Sequence, residues 1–330
     1  MSEEVPFTAA RQSGSNPNFT KFNAIRSEIA KAVVGQESAV TAILIGLLTN
    51  GHVLFEGVPG TAKTLLVKAL AQAVDLTSKR IQFTPDLMPG DLTGSLIYNA
   101  AKAEFTFRPG PVFTNILLAD EVNRTPPKTQ SALLEAMAEK QVTVDGQPRP
   151  LPNPFIVIAT QNPIEYEGTY TLPEAQLDRF LLKVTLDLPT TATELEILQR
   201  HAQNFDPTNL QTAGIDRVAD SADILAARKE VQQVQINDGI LEYIVQIIAA
   251  TRTSPVTLLG VSPRGAVALL HVVRAWAWLN GRDYVTPDDV KALAPATLTH
   301  RIKLAPEAEL DGLQPSNVIQ SILDTVPVPR

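Results

Sequence analysis

The run Gly57-Val58-Pro59-Gly60-Thr61-Ala62-Lys63-Thr64 constrains this chain more than any other feature. It follows His52-Val53-Leu54-Phe55-Glu56, a short buried-strand candidate, and precedes a helical pattern of Leu65, Leu66, Ala69, Leu70 and Ala73. Strand, glycine-rich turn and helix in that order predict a phosphate-binding loop. Successive backbone N–H groups can wrap phosphate oxygens, and the helix N-terminus adds partial positive charge. In that arrangement Lys63 reaches the β- and γ-phosphates and the Thr64 hydroxyl ligates Mg²⁺. Ala62 departs from the general pattern, which has glycine before the lysine. An alanine is accommodated there if its φ is negative. Alone, the run is also compatible with an ordinary Gly/Pro turn.

A second element narrows the reading. Ile116-Leu117-Leu118-Ala119-Asp120-Glu121 is an apolar strand ending in two carboxylates, about 60 residues beyond the loop. Parallel strands share one carboxyl edge, so Asp120 is expected near the loop, holding the Mg²⁺ shell, with Glu121 polarising the attacking water. The next buried strand, Phe155 to Thr160, leads to Gln161-Asn162-Pro163. The Asn162 amide offers a donor and an acceptor to a γ-phosphate or lytic water, though a turn-forming Asn before Pro has the same appearance.

Strands alternating with helices imply a parallel sheet covered on both faces. Residues 1–18, rich in Ser, Asn, Gly and Gln, are expected to form a flexible leader. Helices are predicted from Phe22 and over about Gln36 to Thr49, and Leu181 to Leu188 is expected to close the sheet. Two β-like runs, Ser95–Tyr98 and Glu104–Phe107, predict an inserted hairpin at about 88–109. A second small hairpin begins at Gln141. From Pro189 onward the pattern is helical throughout, with Ser262-Pro263 and Thr286-Pro287 as helix starts.

The formal net charge of −7 argues against nucleic acid as the main partner. The chain has no cysteine, which excludes disulfides and thiolate metal sites. The longest uncharged stretch, Ser38 to Phe55, is broken by Asn50-Gly51-His52, so no membrane span is expected and a soluble, cytoplasmic protein is. His52, His201, His271 and His300 lack metal-ligand spacing and read as structural. Packing also explains Trp276 and Trp278, two apart on one helix.

Together the phosphate loop, Ala119-Asp120-Glu121-Val122-Asn123-Arg124, Pro126 to Glu135, Ala159 to Pro163, Glu165 to Tyr170 and Leu172 to Phe180 resemble the MoxR family of AAA+ ATPases. The resemblance runs from about Phe22 to the last helices. It implies an α/β AAA+ nucleotide domain (19–188) with a parallel sheet, followed by a C-terminal α-helical lid (189–330). It further implies ATP and Mg²⁺ as cofactors, a homo-oligomeric ring of six, and protein clients, some carrying von Willebrand factor A domains.

Arg179 matches the family's arginine finger, which reaches the γ-phosphate of the next subunit, and Arg264 matches the lid arginine called sensor 2. A planar, permanent cation suits both tasks. Without the resemblance, Arg179 reads as a surface ion pair with Asp178 or Glu174. Val34-Gly35-Gln36 matches the adenine-pocket segment, or is a simple helix-start turn. Arg124 is a further candidate intersubunit arginine. The hairpin resembles the insertion shared with magnesium-chelatase motor subunits and replicative helicases; its aromatics either pack in the core, the default, or meet a client. The resulting expectation is a chaperone-like remodelling ATPase. A nucleic-acid motor and an ATP-binding scaffold with little turnover stay open as alternatives.

Overall fold

The computed structural model describes residues 17–57, 60–101, 103–162, 170–207 and 209–329. Residues 1–16 of the expected leader lie outside the described residues. Its last two positions are corrected, because helix α1 (Pro17–Ala30) already begins at Pro17. Proline's fixed φ and missing N–H suit a first helical turn. Helix α2 (Glu37–Thr49) ends where Asn50 turns left-handed, and strand β1 (Val53–Gly57) follows. Then come α3 (Lys63–Ala73), β2 (Ser78–Gln82), α4 (Pro89–Thr93), β3 (Gly94–Asn99) and β4 (Glu104–Pro109). Next are β5 (Ile116–Asp120), α5 (Pro127–Glu139), β6 (Gln141–Val144), β7 (Gln147–Pro150), β8 (Ile156–Gln161), α6 (Glu174–Leu177) and β9 (Leu182–Leu186).

The sheet order is β2-β5-β8-β1-β9, and every pairing is parallel. Its strands read as nearly continuous apolar runs because both faces are covered. Alternation sorts them. Val53, Phe55, Ile116, Leu118, Ile156 and Ile158 enter one core. Leu54, Leu117, Ala119, Val157 and Ala159 enter the other, with Leu133, Leu134 and Met137 of α5. The register sets Glu56 beside Gln161 and Gln82 beside Asp120, so the polar ends of these strands share one edge.

Both expected hairpins form, β3 with β4 and β6 with β7. The aromatics of the first divide. Phe107 packs against Phe113, with ring centroids 5.5 Å apart, as core packing expects. Tyr98 and Phe105 instead stack on each other at 5.3 Å and are exposed. They stand on a two-stranded ribbon separate from the main sheet, and neither belongs to a buried cluster.

The C-terminal half contains α7 (Thr191–Ala202), α8 (Ser221–Gln233), α9 (Asp238–Thr253), α10 (Pro263–Leu279), α11 (Pro287–Leu298), α12 (Pro306–Leu310) and α13 (Pro315–Thr325). It is not helical throughout. β10 (Thr257–Leu259) pairs antiparallel with β11 (Lys303–Leu304). Strands of three and two residues are too short for a period-2 signal to register.

This half shares the first core with α1 and α2. The Trp278 ring meets Phe22 edge-on at 5.2 Å, while its indole N–H donates to Glu230 Oε2 at 3.1 Å. Arg228 Nε donates to the Leu47 carbonyl at 2.7 Å, satisfying an end of α2. Trp276 and Trp278 are both buried, as packing predicts.

Candidate functional site

At the carboxyl edge of the sheet lies a cavity of about 620 Å³. Its floor is the turn between β1 and α3. Gly57 is required there: a Cβ would stand 2.5 Å from the Leu186 carbonyl oxygen on β9. Gly60 has φ 90° and Ala62 has φ 57°. The expectation of a negative φ at Ala62 is therefore corrected. Alanine is held in the left-handed region, which costs on the order of 1 kcal/mol and is borne by the closure of the loop. Val58 and Pro59 lie outside the described residues, as do residues 163–169.

Gly57, Gly60, Thr61, Ala62, Lys63 and Thr64 all line the cavity. The Lys63 ammonium sits 3.4 Å from the Gly57 carbonyl oxygen. Burial lowers its pKa, against the opposing pull of Asp120 and Glu121.

The two carboxylates follow β5 into the same cavity. Asp120 Oδ1 accepts from the Thr160 hydroxyl at 2.5 Å, and Oδ2 accepts from Arg80 Nε at 3.1 Å and Nη2 at 2.7 Å. Thr160 in turn accepts the Glu121 backbone N–H at 2.8 Å, which ties the ends of β5 and β8. Glu121 adopts φ 56°, leaving the strand direction, and its Oε2 accepts from Gln82 Nε2 at 2.6 Å and Arg124 Nη1 at 2.9 Å. Arg124 thus pairs within its own chain. Asn162 is buried, lines the cavity, and takes an Asn123 amide on its backbone carbonyl at 3.2 Å.

The donor set suits a hard divalent cation. Thr64 and Asp120 offer oxygen only, and among the described residues no cluster of three or more His, Cys, Asp or Glu could cage a metal. Mg²⁺ is ordinarily held in this sparse way, by one or two side chains together with phosphates.

Comparison with known proteins agrees with this geometry. Residues 52–182 match the model of the ATPase family associated with various cellular activities (AAA), and residues 249–322 match the AAA lid domain. Over 313 residues the chain is 42% identical to chaperone MoxR1 of Mycobacterium tuberculosis, covering 92% of this chain and 81% of that protein. It is 32% identical over 325 residues to protein MoxR of Methylorubrum extorquens, covering 92% and 93%. A crystal structure from Cytophaga hutchinsonii superimposes with a TM-score of 0.87 at 44% identity, over 95% of this chain and 96% of that one.

The chain belongs to the MoxR family of AAA+ ATPases.

In this MoxR-type ATPase the far end of the cavity is built by Val33 and Val34 after α1 and by Ile197, Arg200, His201 and Phe205 on and after α7. Val34 lines the cavity. Gly35, with φ 71°, lies behind it, where a Cβ would come 2.6 Å from Thr193 Cγ2 on α7. His201, read as structural, lines the cavity and stacks edge-on to Phe205 at 5.7 Å. The sequence offers no periodic signal for it, because α7 buries no residue. Arg80 and Gln82 were also missed. Their signal is a pair of polar side chains two apart on one strand; the register sets Gln82 level with Asp120 and Arg80 level with Leu118.

His52 and His300 are structural. His52 accepts the Val157 N–H on Nδ1 at 2.9 Å, so its Nε2–H faces the Met137 carbonyl at 3.1 Å. His300 Nε2 meets the Phe180 carbonyl at 3.0 Å.

Neither Arg179 nor Arg264 lines the chain's own cavity. Arg179 Nη1 donates to the Leu134 carbonyl at 2.6 Å, and the alternative reading of it as a surface ion pair with Asp178 or Glu174 is not met. Asp178 is held by Arg301 at 2.7 Å, and Glu174 by Lys303 at 2.7 Å. Arg264 stands 3.9 Å from Asp178 with its side chain 56% exposed. Both arginines therefore gather around the α6 turn, away from the phosphate loop.

Proposed function

We propose that this MoxR-type ATPase hydrolyses ATP with Mg²⁺ in an oligomeric ring, six subunits by family resemblance, and uses the cycle to remodel protein clients. One observation carries this reading. Lys63, Thr64, Asp120, Glu121 and Asn162 converge on one cavity, while Arg179 and Arg264 are excluded from it. A site with its base and no finger of its own calls for a neighbour's arginine.

Bound Mg²⁺·ATP supplies the polarised γ-phosphoanhydride that breaks. Lys63 and the loop N–H groups bind its phosphates, and Thr64 and Asp120 hold the metal. Glu121 takes the proton of the attacking water, and Asn162 orients that water by a hydrogen bond. From the adjoining subunits, Arg179 and Arg264 stabilise charge on the γ-phosphoryl oxygens. The Val34 end of the cavity holds the adenine. A soluble, cytoplasmic setting accords with the described helices, none of which is long and apolar enough to cross a membrane. Family resemblance points to clients or partners carrying von Willebrand factor A domains.

A scaffold with little turnover is the second reading, favoured by the two hydrogen bonds that hold Glu121. Steady-state hydrolysis against protein concentration, with sedimentation in parallel, separates them. Specific activity is expected to rise on assembly. Lys63→Ala and Glu121→Gln should lose it, and Arg179→Ala should lose about a thousandfold. Glu121→Gln should still bind ATP. Assembled wild type that binds ATP without turnover leaves the scaffold standing.

A further inference from the structure

We propose that Arg80 is a metal placeholder: it occupies the Asp120 carboxylate until Mg²⁺ arrives, and its departure loosens Glu121 for catalysis. This rests on the reading of Asp120 as the carboxylate that holds the metal.

Asp120 has two oxygens, and the Thr160 hydroxyl takes Oδ1 within the sheet. Oδ2 is the oxygen left for the cavity, and two N–H groups of Arg80 converge on it. A guanidinium and a divalent cation repel each other and compete for the same lone pairs. Arg80 also has room to leave, since its side chain is 49% exposed and lines the cavity.

Its departure has a consequence one residue further along the strand face. Arg80 Nη2 also donates to Gln82 Oε1 at 2.8 Å. That bond and the bond to Glu121 leave one orientation for the amide, oxygen toward the guanidinium and nitrogen toward the carboxyl oxygen. Arg80 therefore braces the Gln82 amide that restrains Glu121 at 2.6 Å. Without the brace the amide can rotate, and Glu121 keeps only the Arg124 bond. Metal occupancy at one carboxylate is thereby coupled to the freedom of its neighbour. Arg80 and Gln82 are positioning residues in this scheme, because they act through Asp120 and Glu121.

Coupling is reciprocal, so the device is readable without turnover. The test measures the Mn²⁺ dissociation constant by electron paramagnetic resonance, on the full chain with a non-hydrolysable ATP analogue. Arg80→Gln is expected to bind Mn²⁺ about fivefold more tightly than wild type, the order that a half-exposed ion pair sustains. Gln82→Ala, which touches no metal ligand, is expected to tighten binding about twofold by weakening the brace on Arg80. Arg80→Lys keeps a cation within reach and should stay near wild type.

Unchanged or weaker Mn²⁺ binding in Arg80→Gln overturns the placeholder, as does a lysine variant as tight as the glutamine one. Unchanged binding in Gln82→Ala overturns the link to Glu121. Asp120→Asn guards the underlying reading: if it binds Mn²⁺ like wild type, Asp120 is not the metal carboxylate and the proposed function fails at that point.

Discussion

Ala62 and His52 show how single side chains answer to their surroundings rather than their type. Ala62 takes a left-handed φ directly before α3, a conformation that alanine rarely adopts. His52 sits between two backbone groups, and burial pushes its pKa down to about 3. Burial likewise holds the His300 imidazole well below its usual range. A folded pKa below the unfolded one means that the unfolded chain binds more protons as pH falls. Stability is thus fully present above about pH 6.5 and declines toward acid, by on the order of 2 kcal/mol for His52 between pH 6.5 and 5, with His300 acting in the same direction. Urea unfolding at a series of pH values should show this slope. His52→Gln should be less stable throughout but lose stability less steeply over that interval.

At the scale of elements, α7 is the least anchored wall of the site. It buries no residue, yet it carries Ile197, Arg200 and His201 to the cavity. What pins it is Arg200, whose Nη1 donates to the Ala30 carbonyl at 3.0 Å and the Lys31 carbonyl at 2.9 Å. These oxygens close α1, so one guanidinium satisfies a helix end and positions another helix. Arg200→Ala should release α7 and raise the dissociation constant of a fluorescent ATP analogue about tenfold, with the melting temperature little changed. An unaltered constant would show that α7 stays in place without this bond.

At the scale of the whole molecule, the two halves share one core. Residues of α1, α2 and α3 belong to the same apolar cluster as α8, α9, α10 and α11. Arg301 crosses from the helical half to Asp178 Oδ1 at 2.7 Å and the Phe180 carbonyl at 2.7 Å. A boundary at Pro189 therefore divides the sequence more sharply than the packing. Cooperative unfolding follows: far-ultraviolet circular dichroism should give the same urea midpoint as tryptophan fluorescence, both indoles being on α10. Separated midpoints would mean that the halves unfold independently.

The sequence alone determined the strands of the central sheet and the candidate polar residues at its edge. A continuous apolar strand ending in Asp120-Glu121 and another running on to Asn162 can only be central parallel strands, and parallel strands end on one side. Local pattern carries that much because burial on both faces leaves its mark on every residue of a strand. The contacts between distant elements were decided by tertiary structure. Arg80 and Gln82 meet the acidic pair through the β2–β5 register, and α7 returns over the cavity because Arg200 finds the end of α1. The α6 turn points Arg179 to the Leu134 carbonyl, and α10 brings Arg264 to Asp178, so neither lines its own cavity. Such placements depend on which faces pack together, and periodicity within one segment holds no record of its partner.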